Sequence, residues 1–579
     1  MVEINNNVKV QRLVKWFLPF YLFTFLPLAS FACTNFIVGK QASADGSVFV
    51  SYNADSYGAF MPLYHYPAAK HQPGDMRKVY EWDTNKYLGE VAEAPETWNV
   101  IGNTNEWQVT IGETTFGGRE EMVDSTGVID YGSLIYITLQ RAKTAREALQ
   151  IMTTLVEQYG YCSEGETFSV ADKDEAWMLE MMGCGPDRTK EAGRTVWVAV
   201  RIPDDAIAAH ANQSRITQFL DGRYTPVKMK DLQKKYPING KKPVPNLVVY
   251  SDNIIRYART MGWFEGKDAD FSYNAAYAAP DFSGRRYCEA RVWSFFNRFA
   301  DDFSRYVPYA AGIEKDAEPM PLWIIPNKKV TLQMLRDAMR DHYEGTPFAL
   351  DSDIGGGMFE MPYRLSPLSY KVDGKEYFNE RPISTFQTAW SFISQMRSSL
   401  PREIGGCFWF GNDDGNMVAY TPMYNCMTRL PKCFSGEGAD DITFSMDNAF
   451  WVCNWVSNMV YPRYSLMFPT LQAVRDSLDA SYDKLQAQIE IQALALEGDA
   501  RVRFLTNYSC QKGDEMIARW QQLAFHLIVK FNDSAVKPTD ENGNFKRNKY
   551  GLGERIKRPG YPERYARKII SDRLAVPKE

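Results

Sequence analysis

The residue with the clearest chemistry is Cys33, which opens a strand-like stretch directly after Ala32. If the chain is cleaved between these two residues, Cys33 carries both a thiol and a free α-amine. An ordinary thiol has a pKa of about 8.5 and an α-amine one of about 7.7–8.0, so the amine can accept the thiol proton. The thiolate can then attack an amide carbonyl, and the amine can return the proton to the leaving nitrogen. The sequence therefore predicts a hydrolase whose first mature residue is both nucleophile and base.

The segment before Cys33 has the features of an export signal. Basic residues precede a largely apolar run over residues 16–27, and the small residues Ser30 and Ala32 occupy the −3 and −1 positions of a cleavage site. The run is short for a bilayer core of about 30 Å. We therefore expect residues 1–32 to be a cleaved signal peptide and the mature protein to be secreted or periplasmic. A membrane anchor and a lipid attached at Cys33 are the alternatives, and the lipid would block the amine.

A hairpin is expected to place polar residues beside the nucleophile. Residues 33–40 and 48–53 alternate in polarity and are joined by an Asp-Gly turn. Because a hairpin returns its far end to its start, Asn53 and Asp55 should lie near the amine of Cys33. A carboxylate there would orient the amine and tune its basicity, and a nearby arginine could fix both the carboxylate and the chain terminus.

The developing oxyanion needs a preorganised hydrogen-bond donor. Asn212 ends a predicted strand over residues 206–212, so its side-chain N–H is the candidate donor. A catalytic pair of Cys33 with His210 is a further alternative, although no sequence signature of such enzymes surrounds the cysteine.

The bulk composition excludes several classes of protein. The chain has 579 residues, is 45% hydrophobic and 24% charged, and carries a net charge of −5 at a pI of about 5.8. This balance indicates neither nucleic-acid binding nor attachment to an anionic membrane. CxxC, HExxH and glycine-rich phosphate motifs are absent, so no metal or cofactor is predicted. Eight cysteines besides Cys33 permit disulfides in an exported chain, but the sequence gives no pairing.

The order of predicted elements indicates an α+β fold. Strand pairs are followed by helical periodicity over residues 131–159 and then by more strand pairs, which favours antiparallel sheets covered by helices. We expect residues 33–300 to form this layered core. Residues 301–579, with helices predicted over 468–496 and 519–530, should complete and elaborate the same domain.

Several motifs together resemble one family, the C69 dipeptidases, which belong to the N-terminal-nucleophile superfamily with penicillin V acylase and bile salt hydrolase. The motifs are Cys33-Thr-Asn-Phe-Ile-Val-Gly-Lys, Ala44-Asp-Gly-Ser, Asn53-Ala-Asp55, Asn105-Glu106, Ile111-Gly-Glu-Thr-Thr, His210-Ala-Asn-Gln-Ser-Arg-Ile216, Ser384-Thr-Phe-Gln-Thr-Ala-Trp and the stretch from Trp451 to Arg463. The resemblance covers nearly the whole mature chain. It implies a four-layer αββα sandwich, with a large C-terminal elaboration, and hydrolysis of dipeptides.

The resemblance also implies roles for individual residues. It makes Cys33 the nucleophile and base, Asp55 the group that holds the amine, Asn212 an oxyanion ligand, Arg291 the second active-site arginine, and Asn53, Glu113 and Thr114 substrate-binding residues. One departure concerns the position before Asn53, where the family often has arginine and this chain has Tyr52. The thiolate therefore lacks one cationic neighbour.

The remaining functional alternatives differ in substrate or in class. An amidase or acylase of the penicillin V acylase or bile salt hydrolase type would use the same nucleophile, although those relatives are much shorter. A non-catalytic, lipid-anchored surface protein would need no active site. The partners expected for the main hypothesis are small peptides, without nucleic acid or a stable membrane span, and a homo-oligomer is compatible with the sequence.

Overall fold

Two large sheets contain Asn53, Asp55, Glu113 and Thr114, whereas Cys33 and Asn212 lie just outside strands of the first sheet and Arg291 lies on a helix. The computed structural model describes residues 33–570 except 187–192, 239–243, 315, 352, 366–367 and 555. The predicted signal peptide, residues 1–32, lies outside the described residues. The chain combines helices with several sheets, which confirms the α+β prediction.

The first sheet has seven antiparallel strands and contains the predicted hairpin. Its strands, in spatial order, are Trp323–Ile324, Ile207–His210, Thr34–Val38, Val48–Asp55, Thr388–Met396, Gly406–Asn412 and Thr421–Tyr424. The hairpin is confirmed, and Thr34 pairs with Asn53. The strand Val48–Asp55 also pairs with Thr388–Met396, and the register of this pairing shifts between Ala54 and Asp55. This irregularity lies at the end of the hairpin that carries Cys33.

The second sheet has nine strands and is antiparallel except at one edge. Its strands, in spatial order, are Thr225–Pro226, Leu247–Tyr250, Thr195–Ile202, Ala176–Gly183, Gly165–Ala171, Thr110–Gly117, Thr104–Asn105, Val100–Ile101 and His65–Tyr66. The strand Thr110–Gly117 contacts both strands of the hairpin. A Cβ atom at Gly112 would lie 2.1 Å from the Asn35 side-chain oxygen, so only glycine permits this close approach of the sheets.

Helices cover the far side of each sheet. Tyr131–Leu139 and Ala145–Tyr159 pack on the nine-stranded sheet through a buried apolar cluster. Ala290–Asn297 packs on the seven-stranded sheet, where the ring of Phe295 stacks on Phe36 at 3.9 Å. The remaining helices are Leu232–Lys235, Ile254–Thr260, Tyr273–Tyr277, Val307–Ala311, Leu332–Met339, Arg402–Gly405, Ala449–Val460, Tyr464–Leu494, Gly498–Phe531 and Glu563–Ile569.

The long C-terminal helices differ in extent from the sequence prediction. Tyr464–Leu494 agrees with the predicted helix to within a turn, whereas Gly498–Phe531 begins about 20 residues before the predicted start at 519. Its first half is rich in charged residues and lacks a clear apolar stripe. It is stabilised by tertiary packing, because Leu505, Tyr508 and Cys510 are buried against neighbouring elements.

Short elements complete the fold. Two-stranded pairs are formed by Ala69–Lys70 with Glu96–Thr97, Met76–Tyr80 with Tyr87–Ala92, and Ser369–Val372 with Lys375–Phe378. All nine cysteines lie in the described part of the chain and none forms a disulfide. Among the described helices, none has both the length and the apolar character needed to cross a membrane.

Candidate active site

Cys33 lies at the wall of a small cavity of about 20 Å³. The residue is only 2% exposed, because the two sheets and the helix Tyr131–Leu139 surround it. The polar lining of the cavity includes Asp55, Asn103 and Glu113. Its aromatic lining consists of Tyr52, Tyr64, Trp82, Tyr131 and Trp390. Within the described residues, no lysine, arginine or histidine lines this space, which we call the inner chamber.

The thiol of Cys33 contacts two polar groups. Its Sγ atom is 3.2 Å from the hydroxyl of Tyr52 and 3.6 Å from Oε1 of Glu113, and the Tyr52 hydroxyl also donates to that oxygen. Burial raises the pKa of the Cys33 thiol well above its usual value, and the charges of Glu113 and Asp55 raise it further. The hydrogen bonds from Tyr52 and from the Asp55 backbone act in the opposite direction. The thiol is therefore protonated at rest, and a base is needed to form the nucleophile.

Asp55 is held at the end of the hairpin by groups from a distant part of the sequence. Its carboxylate accepts hydrogen bonds from Arg381 at 3.0 Å and from the Thr388 hydroxyl at 2.6 Å, and all three residues are buried. Burial raises the pKa of Asp55 to about 6, although the charge of Arg381 lowers it. Asp55 is therefore a carboxylate above about pH 6, and it lines the same cavity as Cys33.

Arg291 ties the nucleophile to the candidate oxyanion ligand. It projects from the helix Ala290–Asn297 and is fully buried. Its guanidinium donates hydrogen bonds to the carbonyl oxygens of Tyr287, Cys33 and Ala211 and to the side-chain oxygens of Thr34 and Asn212, at 2.7–3.1 Å. These contacts fix the backbone at the nucleophile and at the end of the strand that precedes Asn212.

Asn212 adopts the left-handed conformation, with φ of 61°, directly after the strand Ile207–His210. Its side-chain oxygen accepts from Arg291 at 3.0 Å and its amide nitrogen donates to the carbonyl of Thr115 at 2.7 Å. Asparagine tolerates this conformation better than most residues. The side chain is thus oriented at both ends, close to the strand that carries Glu113.

Glu113 projects toward Cys33 from the strand Thr110–Gly117 and is 2% exposed. Its backbone carbonyl accepts a hydrogen bond from Asn35 at 2.6 Å, across the two sheets. The carboxyl of Glu166 lies against it, and burial together with the charge of Glu113 raises the pKa of Glu166 well above its usual value. Glu166 therefore holds its proton more strongly than an exposed glutamic acid does.

Five residues singled out from the sequence do not line the inner chamber, and Arg291 and Asn212, described above, are two of them. Asn53 donates to the carbonyls of Met339 and Ile383 at 3.3 and 2.9 Å, on the face of the strand opposite Tyr52. His210 has both ring nitrogens engaged, by the hydroxyls of Thr114 and Ser169, each at 2.7 Å. Burial lowers the pKa of His210 to about 3. The structure therefore does not bring His210 to the thiol as a base, and neither Asn53 nor Thr114 lines the chamber.

Sequence reasoning missed the residues that reach this site from far along the chain. Arg381 was expected only as an unnamed arginine, and Thr388 and Trp390 were not assigned a role. The signal was present, since Thr388 and Trp390 fall within the family motif that begins at Ser384 and Arg381 precedes it by three residues. Trp82 follows a short strand, Met76–Tyr80, and no motif marked it.

The chemistry that this arrangement permits is nucleophilic attack by the thiol after transfer of its proton to a nearby base. The described residues contain no group of three or more histidine, cysteine or acidic side chains with the geometry of a metal site. Arg291 joins the Cys33 carbonyl to the Asn212 side chain, and a second buried pair joins Arg381 to Asp55.

Comparison with known proteins gives a consistent family assignment. The chain is 26% identical to a probable dipeptidase of Salmonella dublin over 419 residues, which cover 68% of this chain and 81% of the relative. It is 24% identical to dipeptidase A of Lactobacillus helveticus over 491 residues, which cover 80% of this chain and 90% of the relative. The family model of peptidase family C69 matches residues 32–477. The chain is therefore a member of peptidase family C69, as its motifs predicted.

Proposed function

We propose that this protein is an exported dipeptidase whose nucleophile is Cys33, exposed as the first residue by removal of residues 1–32. The observation that carries the proposal is the enclosed thiol beside Asp55, in a chamber whose described lining contains no histidine. A thiol with a raised pKa needs a base, and the α-amine of the same residue supplies one. Membership of a peptidase family whose relatives are named dipeptidases supports the substrate class.

The reaction follows from these groups in two stages. The α-amine takes the thiol proton, and the thiolate forms a bond to the carbonyl carbon of the dipeptide. The tetrahedral intermediate then breaks its C–N bond while the Cys33 ammonium donates a proton to the leaving nitrogen. Water attacks the resulting thioester as the amine accepts its proton, and cleavage of the C–S bond releases the amino-terminal residue as a free acid and restores the thiol.

The surrounding residues position these groups. Asp55, held by Arg381 and Thr388, orients the Cys33 amine and stabilises its protonated form. Asn212 helps to bind the oxyanion, and Arg291 fixes both Asn212 and the Cys33 backbone. Tyr52, at the position where relatives often have arginine, places a neutral hydroxyl 3.2 Å from the sulfur instead of a cation. Preorganised donors of this kind stabilise the charge that develops in the transition state.

The fold proposed for this function is the four-layer αββα sandwich of N-terminal-nucleophile hydrolases. Its support is the contact between the two sheets and the helices on the outer face of each. Three of the seven strands of the first sheet come from residues 388–424, which supports an elaborated single domain rather than an independent second one.

The proposal is tested with the mature protein and its nucleophile variants. Cys33→Ala should abolish dipeptide hydrolysis, and Cys33→Ser should retain only weak activity, because a hydroxyl is a poorer nucleophile at neutral pH. A panel of dipeptides, conjugated bile salts and penicillin V separates the dipeptidase from the acylase alternatives. Full activity of Cys33→Ala, or hydrolysis of the bile salts or penicillin alone, would contradict the proposal.

A further inference from the structure

Arg381, the ion-pair partner of Asp55, lies in a loop and not in a helix or strand. The loop covers residues 379–387, between the strands Lys375–Phe378 and Thr388–Met396. Arg381 is buried, and its guanidinium donates to the Asp55 carboxylate at 3.0 Å. Side chains on loops are held less precisely than those on helices or strands, so contacts from elsewhere in the chain must fix Arg381.

Residues 341–344, which we call the brace, lie alongside this loop. The hydroxyl of Tyr343 donates to the backbone carbonyl of Arg381 at 2.7 Å. The backbone N–H of Ser384 donates to the carbonyl of Asp341 at 3.0 Å. The brace therefore contacts the loop at two points, and one of them is the residue that pairs with Asp55.

Asn53 links the brace to the same loop. Its side-chain amide donates to the carbonyl of Met339, two residues before the brace, and to the carbonyl of Ile383 in the loop. This gives the residue a role in support, in place of the substrate contact expected from the sequence.

Tyr343 adopts the left-handed backbone conformation, with φ of 65°. This conformation is unfavourable for a bulky side chain, and it persists only where the surroundings fix it. The side chain is fully buried, and burial raises the pKa of Tyr343 well above its usual value, so the hydroxyl keeps its proton and can donate it. Because strained residues cluster at functional sites, the strain indicates that the tyrosine is required where it stands.

Neighbouring side chains hold Tyr343 in this conformation. The carboxylate of Glu344 accepts hydrogen bonds from the backbone N–H and from Nδ1 of His342, each at 2.9 Å. The N–H and the hydroxyl of Thr346 donate to the Tyr343 carbonyl at 3.0 and 2.7 Å. His342 is itself buried, with its ring edge-on to that of Tyr363 at 4.5 Å. The turn around Tyr343 is therefore closed by its neighbours and anchored in the core.

We propose that the brace holds Arg381 against Asp55 through the hydroxyl of Tyr343, which makes Tyr343 a positioning residue for the nucleophile. The inference rests on the proposed function, because it takes Asp55 as the carboxylate that orients the amine of Cys33. The brace does not touch the substrate in this account, and its effect reaches the reacting atoms only through Arg381 and Asp55.

The charges around Asp55 show how a displacement of Arg381 would be detected. Burial raises the pKa of Asp55, whereas the charges of Arg381 and Arg291 and the Thr388 hydrogen bond lower it. The titratable thiol of Cys33 lies in the same cavity. Since Arg381 is the cation that the brace contacts, weakening the brace should raise the pKa of Asp55.

The first test is Tyr343→Phe in the mature protein, which removes only the hydroxyl. Asp55 should then be protonated up to a higher pH, so the ratio of kcat/KM at pH 8 to kcat/KM at pH 6 should increase at least about threefold. A general loss of activity would act at both pH values and leave this ratio unchanged. Tyr257→Phe is a matched control, because the Tyr257 hydroxyl also donates to a backbone carbonyl, that of Cys184 at 3.1 Å, and Tyr257 does not line the inner chamber. The control should keep the wild-type ratio.

The second test is Glu344→Ala, which removes both acceptors that His342 uses in the turn. The same ratio of kcat/KM should increase in this variant. In the double variant Tyr343→Phe/Glu344→Ala the ratio should match that of Tyr343→Phe to within about twofold, because both changes act through one contact. Independent, additive effects would show that Glu344 acts elsewhere and would overturn the brace.

A stability measurement tests the same contact without turnover. The pKa of Asp55 is raised in the folded protein, so the folded state loses stability as the pH rises through about 6, and a further rise of this pKa increases that loss. The denaturant midpoint of Tyr343→Phe should therefore lie further below the wild-type midpoint at pH 8 than at pH 5. The deficit of Tyr257→Phe should be the same at both pH values.

The outcomes separate this inference from the proposed function. An unchanged kcat/KM ratio in Tyr343→Phe, or a midpoint deficit that is equal at pH 5 and pH 8, would overturn the positioning role of Tyr343 while the loss of activity in Cys33→Ala still supported the dipeptidase. Activity retained by Cys33→Ala would instead refute the proposed function, and with it the link from Asp55 to catalysis, whereas the midpoints would still report whether Tyr343 holds Arg381 against Asp55.

Discussion

The two sides of Cys33 differ in how their charges are balanced. On the backbone side, Asp55 is paired with Arg381, and Arg291 donates to five oxygen atoms around the start of the hairpin. On the side of the inner chamber, Glu113 faces the thiol without a cationic partner among the described residues.

This difference indicates that one side of Cys33 places the nucleophile and the other side selects the substrate. Buried charges that are satisfied within the protein hold their neighbours in one geometry, and their removal leaves polar groups without partners. The paired side of Cys33 should therefore determine whether the nucleophile is correctly placed, and the inner chamber, whose residues surround the thiol, should determine which substrate is accepted.

The largest effect is expected from Arg291→Met. Five oxygen atoms lose a buried donor, so we expect the free energy of unfolding to fall by about 3 kcal/mol and kcat/KM by at least about 100-fold. Arg336→Met is a matched control, because Arg336 is also fully buried and is paired with Asp483 away from the inner chamber. Denaturant titration and steady-state kinetics measure the two effects. A similar loss of kcat/KM in both variants would indicate that Arg291 acts on stability alone.

A smaller and pH-dependent effect is expected from Arg381→Met. The pKa of Asp55 is about 6, so in the wild-type protein Asp55 gains its proton as the pH falls through that value. In the proposed mechanism it should then no longer stabilise the Cys33 ammonium. As the pH falls, kcat/KM should first decrease when the α-amine gains its proton, at about 7.7–8.0. It should decrease more steeply below about pH 6, where Asp55 gains its proton as well.

Loss of the Arg381 charge raises the pKa of Asp55, which moves this limb to higher pH. We expect kcat/KM to fall by at least about tenfold at pH 6 and by less at pH 8. Arg381→Lys retains a cation and should shift the limb less. An unchanged pH profile in Arg381→Met would show that Asp55 is not the group that titrates.

The smallest effect is expected from Tyr52→Phe, which removes the hydroxyl that contacts both the Cys33 sulfur and the Glu113 carboxyl. The ring should stay in place, since it packs edge-on against Trp390 and Phe392 at 5.7 and 5.6 Å. The thiol loses a hydrogen bond that lowers its pKa, so alkylation of Cys33 by iodoacetamide should be slower at a given pH. We expect kcat to fall about three- to tenfold. Faster alkylation would contradict the role given to Tyr52.

The comparison also explains which parts of the site could be predicted from the sequence. The hairpin is local, so its turn and its alternation sufficed to bring Asp55 to Cys33. Arg381 lies 326 positions from Asp55, and no local pattern relates them. Asn53 shows that closeness in sequence is not sufficient. It lies two residues before Asp55, but side chains alternate along a strand, and its amide donates to the carbonyls of Met339 and Ile383.

The fold shows the same division. The α+β class followed from the order of strands and helices, and the motifs identified the family. The early start of the helix Gly498–Phe531 did not follow, because tertiary packing and not periodicity stabilises its first half. The aromatic wall of the inner chamber combines Trp82 with Trp390, and only the folded chain brings these residues together.

The most direct test is intact-mass and N-terminal peptide analysis of the active protein after labelling with iodoacetamide. The mature chain should begin at Cys33, its α-amine should be unmodified, and loss of activity should parallel a single alkylation of the Cys33 sulfur. An active protein that retains residues before Cys33, or that carries an acylated amine on this residue, would contradict the account.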